Sequence, residues 1–424
     1  MSRKKKGRKK RGPSLYTSFV AFSGAAVLFL GSLLYLVFLG GEPPQPLFEE
    51  RSSLLSRQIA RIDRGIYTCL YKAKVPQRNI LFLDVKPRHQ ENADWDFTEL
   101  VILVPRKESV TTLEKDLKRM LSSSSTKVRF RAGRESHGGA VVQVYAGSYE
   151  THQIMIRADL RAIRESAKQE ASPLKKGEGT FPHGPDGGMV DSSRADARVP
   201  ANHGSTPRVA IIIDDLGYDL DLAKSIMDLN LGLSLSVLPM APCTKNIVEA
   251  AQERKYEVIL HLPMEPETYP HEDAGPGALL TSMSEKEIKG LLEEHLKRVP
   301  GARGVNNHMG SRFTESEDKM GILMQELKRR RLFYVDSRTT SRTVALEVAQ
   351  RLGVAAAKRN VFLDNDLTQE AMTFQMQRLL AISRQSGKAI GIAHPHPETV
   401  TFLRQNLCLL KSEVNVVPVS DIVQ

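Results

Sequence analysis

Residues 209–217 read Val-Ala-Ile-Ile-Ile-Asp-Asp-Leu-Gly, and this stretch decides the fold of the chain. Its five apolar residues, four of them β-branched, are typical of a strand that is buried on both faces. Asp214 and Asp215 follow at the predicted end of that strand. Neighbouring carboxylates raise each other's pKa unless a cation lies between them, and in α/β proteins the carboxyl ends of strands are where ligands bind. The pair is therefore a candidate site; the alternative interpretation is a cap for the next helix.

Short apolar segments alternate with amphipathic ones through residues 208–424. Strand–helix units repeated over this length predict a parallel sheet, either open or closed into a barrel. The number of units favours an α/β fold in the form of a (β/α) barrel of seven or eight strands. Strands are predicted at 208–213, 233–238, 256–261, 301–306, 332–336, 359–363, 388–393 and 413–418. Helices are predicted at 284–298, 315–331, 343–352, 368–387 and 397–410, and Ser284 and Glu287 form a capping-box pattern at the first of them.

The region before the barrel divides into two parts of different composition. Residues 47–160 begin with an amphipathic helical segment and continue with apolar segments, which predicts a small α+β accessory domain. Because they contain no cluster of ligand-type residues, we expect this domain to pack or to contact a partner, which the sequence does not identify, rather than to carry chemistry. Residues 164–207 are rich in Gly, Pro, Ser and charge, and they predict a flexible linker.

The N-terminus has the features of a membrane anchor. Eight of the nine residues at 3–11 are basic, and because most of the formal net charge of +11 comes from them, that charge does not predict nucleic-acid binding. Residues 15–39 then run 25 positions without a charge, which is long enough to cross the hydrocarbon core as a helix. Basic flanks stay in the cytoplasm. We therefore predict a cytoplasmic tail at 1–14, one inner-membrane helix at 15–39, and a periplasmic location for the rest.

Ligand-type residues collect at the predicted carboxyl ends of the strands. In a parallel α/β arrangement these ends converge on one face, and His together with carboxylate suits Zn²⁺ or a similar divalent cation. Pro263 and Pro266 exclude a regular helix around His261 and Glu265, so we expect a loop there. The candidate site residues are Asp214, Asp215, His261, Glu265, His308, Arg312, Asp336, Arg338, Asp364, His394 and His396.

Five motifs in residues 208–424 resemble the divergent polysaccharide deacetylase family, a branch of the carbohydrate esterase deacetylases. The motifs are VAIIIDDLG at 209–217, EVILHLPME at 257–265, GVNNHMGSRFT at 304–314, VDSRTT at 335–340 and GIAHPHP at 391–397. The resemblance covers about half of the chain, and residues 47–207 have no part in it. It implies an irregular deacetylase barrel.

The resemblance also implies roles for individual residues. Asp214 would be the general base, and Asp215 would bind a metal together with His261, the first histidine of a His-x-x-x-His pair. Glu265 stands where the second histidine is expected, so either Glu265 or His308 would complete the site. We favour His308, because a neutral imidazole leaves the site less anionic beside Asp214.

The remaining candidates follow from the same resemblance. His394 would be the general acid. Asp336 and either Arg312 or Arg338 would orient the acid and the base. Asp364 and His396 are further candidates for such supporting groups or for alternative ligands.

The implied activity is metal-dependent hydrolysis of N- or O-acetyl groups on an envelope polysaccharide by a membrane-anchored enzyme, with Zn²⁺ the expected cofactor. A second interpretation is a carbohydrate-binding or scaffold protein on the same fold, with weak or no hydrolytic activity. Phosphoryl transfer on an aspartate nucleophile is disfavoured, because that chemistry requires Asp-x-Asp after the strand and Asp214 and Asp215 are adjacent.

Overall fold

The computed structural model describes residues 54–158 and 206–423, with gaps at 77–78, 91–92, 124–127 and 135–138. The predicted tail at 1–14, the predicted membrane helix at 15–39 and nearly all of the predicted linker at 164–207 lie outside the described residues. Within the described part, every helix is too short or too polar to span a bilayer.

The first part, which we call the small module (residues 54–158), is a five-stranded sheet with two helices. Its sheet order is β1-β2-β5-β4-β3, and only β2 and β5 run parallel to each other. Ile62, Ile66 and Leu70, spaced one helical turn apart, are buried in its core. The elements are α1 (Leu54–Lys72), β1 (Ile80–Gln90), β2 (Ala93–Val104), α2 (Lys107–Ser123), β3 (Val128–Arg134), β4 (Ala140–Ala146) and β5 (Tyr149–Ala158).

The second part, which we call the half-barrel (residues 206–423), alternates strands and helices. The elements are β6 (Arg208–Leu216), α3 (Leu220–Met227), β7 (Ser234–Val237), α4 (Thr244–Glu253), β8 (Glu257–Met264), α5 (Glu285–Arg298), β9 (Gly304–Met309), α6 (Glu317–Arg330), β10 (Phe333–Asp336), α7 (Ala345–Leu352), β11 (Ala356–Lys358), β12 (Val361–Phe362), α8 (Gln369–Ser386), β13 (Lys388–Ala393), α9 (Pro397–Gln405), α10 (Leu407–Glu413) and β14 (Asn415–Val416).

All of these strands are parallel, in the order β11-β10-β9-β8-β7-β6-β13-β12, with β14 added beside β6. Among the described residues no strand ladder joins β11 to β12, so the sheet is a half-barrel of nine strands and not a regular closed barrel. Of the strand predicted at 359–363, only Val361–Phe362 forms a strand, β12, and the preceding strand, β11 (Ala356–Lys358), lies on the opposite edge of the sheet. The chain crosses between these edges at Arg359, whose N–H donates to Asp336 O, and Asn360, whose N–H donates to Ile390 O.

Strand β6 lies in the middle of the sheet, and its apolar run is buried on both faces. Val209, Ile211 and Ile213 pack against the helices. Ala210 and Ile212 face the interior of the half-barrel, together with residues of β8, β10 and β13. This alternation explains the continuous apolar sequence, and it carries the aspartate pair to the carboxyl end of the sheet.

The two modules pack against each other along one face of α8, and their described residues belong to one compact unit. Phe374 lies in the core of the small module, with its ring centroid 4.9 Å from that of Phe82. Arg378 Nη1 lies 3.2 Å from Asp63 Oδ2, and Gln385 Nε2 donates to Leu83 O at 2.6 Å. The spacing of positions 374, 378 and 385 puts them on the same side of the helix.

Candidate metal centre

The two aspartates lie inside β6, not after it, and a bulge turns both of them toward the site. In a regular strand adjacent side chains point to opposite faces. The pairing of β6 with β7 shifts register between Ile213 and Leu216, and Asp215 has a φ of 55°. Bulges of this kind redirect side chains next to active sites. As a result, Asp215 Oδ1 lies 2.9 Å and Asp214 Oδ2 3.9 Å from the same atom, Nε2 of His261.

Three ligand atoms, one each from β6, β8 and β9, converge beside this bulge. Asp215 Oδ1 lies 2.9 Å from His261 Nε2 and 2.8 Å from His308 Nδ1. The two ring nitrogens are 3.2 Å apart. Asp215 and His261 are almost fully buried, and His308 is partly buried. In the described part of the chain, these three are the ligand-type side chains whose ligand atoms lie close enough together to hold one metal ion.

The position of His261 differs from the sequence expectation. We expected a loop at His261–Glu265, whereas β8 continues to Met264, so His261 projects from a strand. Pro263 lies within this strand, and its carbonyl accepts a hydrogen bond from Leu279 N. The residue paired with Pro263 in β9 is His308. His261 and His308 therefore come from adjacent strands.

Asn306 holds the ring of His261 in one orientation. The amide nitrogen of Asn306 donates to Asp214 Oδ1 at 2.7 Å. Because an ionised carboxylate only accepts hydrogen bonds, this contact turns Asn306 Oδ1 toward His261 Nδ1, 2.9 Å away, and toward Ser236 Oγ. Nδ1 of His261 then carries a proton, and Nε2, which faces Asp215, is the nitrogen that can take up either a second proton or a metal ion. Fixing the tautomer in this way is typical of metal-binding histidines.

Buried charge dominates the site. Burial by itself would raise the pKa of Asp215, but the two imidazoles beside it hold that pKa well below its usual range. Burial would likewise lower the pKa of His261, and the carboxylates of Asp214 and Asp215 outweigh it, so the pKa of His261 is raised. Both shifts arise because buried negative charge draws positive charge onto the imidazoles. A divalent cation can take the place of those protons.

The donor set fits a divalent metal. Two imidazole nitrogens and one carboxylate oxygen are typical of catalytic zinc sites, which use three protein ligands and leave a position open. Two ring nitrogens 3.2 Å apart repel each other unless a proton or a cation lies between them. Asp215, His261 and His308 would therefore hold the metal.

His394 faces this group from β13 and is oriented by Asp364. Its Nδ1 lies 2.9 Å from Asp364 Oδ1, and its backbone N–H donates to Asp364 Oδ2 at 2.6 Å. Thr399 Oγ1 also donates to Asp364 Oδ2. Nε2 of His394 is then turned to the site, 3.9 Å from Asp215 Oδ2. Burial opposes protonation of the ring, but Asp364 and the aspartate pair outweigh it and raise the pKa of His394 to about 9.

The other candidate residues make contacts of their own. Glu265 Oε2 accepts hydrogen bonds from Thr281 N and Oγ1, and Glu265 Oε1 pairs with Arg312 Nη1 at 3.0 Å. Glu265 is therefore held by Thr281 and Arg312, and it lies outside the group of convergent ligand atoms. Arg312 also donates to Glu267 O, so both side chains stabilise the β8–α5 connection.

Asp336, Arg338 and His396 shape the rim of the sheet. Asp336 Oδ1 accepts from Arg338 N and Oδ2 from Thr343 Oγ1, at 2.8 and 2.9 Å, and burial raises the pKa of Asp336. Arg338 has a φ of 52°, so the chain turns sharply after β10. His396 is the residue before α9, and its ring centroid lies 6.4 Å from that of His394.

Sequence reasoning missed Asn306, Ser236 and Thr399. A signal was present for Asn306: it precedes His308 by two positions, so both side chains lie on the same face of a strand. Asn is also rare in strand interiors. Ser236 and Thr399 carry no comparable signal, because Ser and Thr occur throughout half-buried structure.

Comparisons with known proteins identify relatives of the half-barrel. Residues 211–423 match the family model described as divergent polysaccharide deacetylase. The chain is 34% identical over 215 residues to the uncharacterized protein YibQ of Escherichia coli K12, an alignment that covers 51% of this chain and 67% of that protein. It is 32% identical over 211 residues to an uncharacterized protein of Haemophilus influenzae, covering 50% of this chain and 74% of the relative.

A solved structure shares the fold. An uncharacterized protein from Agrobacterium tumefaciens C58 aligns with a TM-score of 0.50 and 23% identity, over 53% of this chain and 92% of that one. The family match spans the half-barrel from β6 to its last residues, which confirms the resemblance that the five motifs indicate. This chain belongs to the divergent polysaccharide deacetylase family.

Proposed function

We propose that this protein is a metal-dependent deacetylase that removes acetyl groups from an envelope polysaccharide. The observation that carries the proposal is the convergence of Asp215 Oδ1, His261 Nε2 and His308 Nδ1, with all three atoms within 3.2 Å of one another. A cation there would act as a Lewis acid toward an acyl oxygen and activate water. Asp214 and His394, on either side of this group, have the chemistry of a base and an acid.

Asp214 is suited to accept a proton from the attacking water. Its Oδ1 is engaged by Asn306, so Oδ2, which lies 3.9 Å from His261 Nε2, is the oxygen directed at the site. Asp215 differs because its Oδ1 contacts two imidazoles. The bulge therefore separates two adjacent carboxylates into a proton acceptor and a ligand.

His394 is suited to give a proton to the leaving amine or alcohol. Asp364 occupies its Nδ1, so Nε2 is the nitrogen that can donate into the site. Burial opposes protonation of His394, but the Asp364 carboxylate beside Nδ1 raises the pKa of the ring and so favours the protonated form that a general acid needs. A general acid of this kind contributes about 10²–10⁴-fold to rate.

The proposed location is the periplasmic side of the inner membrane. Support comes from the uncharged run at 15–39 and the basic residues at 3–11. An anchored hydrolase at this surface would reach glycans of the cell envelope.

The decisive experiment is acetate release from N-acetylated and O-acetylated glycan fragments by the full chain, with and without a chelator. We expect release that the chelator abolishes and that added Zn²⁺ restores. Asp214→Asn should lose about 10²–10⁴-fold in kcat while its metal content stays at the wild-type level. Asn246→Ala, on the exposed face of α4, is the matched control.

Release that is insensitive to the chelator would contradict the metal-dependent mechanism. Glycan binding without release of acetate from any fragment would favour the second function, a carbohydrate-binding protein on this fold. The replacement of the second histidine by Glu265, and the engagement of Glu265 by Thr281 and Arg312, are the observations that favour that alternative.

A further inference from the structure

The connection between β12 and α8 is bound from two sides. Toward the half-barrel, the carboxylate of Asp364 accepts hydrogen bonds from His394 N and from Thr399 Oγ1, and it contacts His394 Nδ1. Two residues later, Asp366 is bound by the small module: Tyr67 OH donates to Asp366 Oδ2, and Arg64 Nε lies 3.2 Å from the same oxygen. A short segment therefore links the small module to the residue that orients His394.

The two oxygens of Asp366 serve different partners. Oδ1 accepts from Thr368 N and Oγ1 at 3.0 and 2.8 Å, which closes a turn at the start of α8. Oδ2 is left for the small module. Arg64 is 63% exposed, and surface ion pairs of this kind contribute little. The hydrogen bond from Tyr67 is therefore the main contact across the interface at this point.

Tyr67 is held in place to make this contact. Its ring centroid lies 6.2 Å from that of Phe374, which is itself in the core of the small module. One turn earlier in α1, Asp63 pairs with Arg378. Burial and the neighbouring carboxylate raise the pKa of Tyr67, and the tyrosine helps to lower the pKa of Asp366 against burial, so tyrosine donates and carboxylate accepts.

We propose that the small module positions the general acid: Tyr67 holds Asp366, which fixes residues 364–368 and so the Asp364 carboxylate that orients His394. Tyr67 is a positioning residue and touches no reacting atom. The predicted effect of Tyr67 on rate rests on the proposed function, whereas the predicted effect on the position of His394 does not. Misplacement of a catalytic group by about 1 Å lowers rates about 10²-fold, so the dependence is measurable.

The test uses the full chain with Tyr67→Phe, which removes one oxygen and keeps the ring against Phe374. Tyr71→Phe is the matched control, because Tyr71 lies one turn further along α1 and is 61% exposed. We expect Tyr67→Phe to lower kcat for acetate release about tenfold, because a shift of His394 by part of the ~1 Å that costs about 10²-fold would follow, with KM and metal content unchanged. Tyr71→Phe should match wild type.

Two readouts do not depend on activity. Amide hydrogen exchange of the peptide covering residues 363–374 should be about tenfold faster in Tyr67→Phe than in Tyr71→Phe, since the hydrogen bond to a charged group is lost. The rate at which diethyl pyrocarbonate modifies His394, followed by mass spectrometry, should also rise. Asp366→Asn should also raise both readouts, and the double variant should show less than the sum of the two single effects, because both changes act on the same contact.

The outcomes separate the inference from the proposed function. If exchange and His394 modification rise but no acetylated glycan is hydrolysed even by wild type, the positioning stands and the deacetylase proposal fails. If Tyr67→Phe and Tyr71→Phe give the same exchange and the same His394 reactivity, the positioning inference is wrong whatever the activity. A change in KM alone would also overturn it, because it would place Tyr67 in substrate binding.

Discussion

Among the described residues, each module contains an aspartate–histidine pair in which both side chains are almost fully buried, and these two pairs differ in what balances their charge. In the small module Asp63 Oδ1 lies 2.8 Å from His152 Nε2. In the half-barrel Asp215 Oδ1 lies 2.9 Å from His261 Nε2. The pairs are alike in chemistry, in distance and in burial. Only the second lies at the carboxyl end of a parallel sheet.

The cation that balances the pair in the small module comes from α8 of the half-barrel. Arg378 Nη1 lies 3.2 Å from Asp63, and Arg378 Nη2 lies 3.9 Å from Asp96. At the half-barrel site, the partners in the ion pairs that the structure describes for Asp214 and Asp215 are histidines alone. A guanidinium is permanently charged and closes the first pair. Beside the second pair, Asp214 adds another carboxylate, and a bound metal cation would balance this negative charge.

The largest expected effect separates the two pairs by metal affinity. Asp215→Asn should weaken Zn²⁺ binding more than about 1000-fold, because groups that only support a ligand are already worth about 10–100-fold. Asp63→Asn should bind Zn²⁺ as wild type does. Competition titration with a chromophoric chelator measures both. Equal affinity in Asp215→Asn and Asp63→Asn would contradict the assignment of the metal centre.

The next effect is on stability, and here substitution in the small module's pair is the one expected to matter. Asp63→Asn should lower the free energy of unfolding by about 3–5 kcal/mol, because it leaves the buried charge of Arg378 without its partner. Urea unfolding of the full chain measures this. Asp116→Asn, which breaks a surface pair with Arg119, is the control and should change stability by less than about 1 kcal/mol. If Asp63→Asn loses no more stability than the control, the ion pair between Asp63 and Arg378 does not stabilise the fold.

A smaller effect concerns the support of His261. Asn306→Ala removes the oxygen that faces His261 Nδ1 and the amide that binds Asp214, so Zn²⁺ affinity should fall about 10–100-fold. The same chelator competition applies, with Asn246→Ala as the control. Unchanged affinity would mean that the tautomer of His261 is set without Asn306.

The smallest effect is the pH dependence of the structural pair. His152 and Arg378 outweigh burial and lower the pKa of Asp63 in the folded state. A lowered pKa stabilises the fold above the unfolded value of about 3.9, and that stabilisation is lost as pH falls through the folded value. The gap between wild type and Asp63→Asn should therefore be constant from pH 7 to 5 and narrow below about pH 4. A gap that narrows already between pH 7 and 5 would point to another group.

Much of the local structure follows from sequence pattern. The strand predicted at 388–393 is β13 with the same bounds, and Ser284 and Glu287 form the predicted capping box at α5. Patterning works here because a strand buried on both faces needs a continuous apolar run, and a helix start needs a side chain for its free N–H groups. The deacetylase family could be named from the motifs for the same reason: they are local.

The site could be predicted only in part. The sequence indicates that His261, His308 and His394 stand near strand ends, but it does not indicate that β8 continues through Pro263. It also does not show that Glu265 is engaged by Thr281 and Arg312. These outcomes depend on segments distant in sequence, such as residues 278–281, which no periodicity describes.

The sequence by itself determined which residues reach the carboxyl edge of the sheet. Because the middle of β6 is buried on both faces, it must be apolar, so the aspartates can stand only at the end of the strand. The tertiary structure decided what those residues do there. A φ of 55° at Asp215 and the register shift against β7 turn two adjacent carboxylates to one side. Strands β8 and β9 then bring His261 Nε2 and His308 Nδ1 to 2.9 and 2.8 Å from Asp215 Oδ1. Side-chain direction depends on single backbone torsions and on the registers between strands, and neither is encoded in a local pattern.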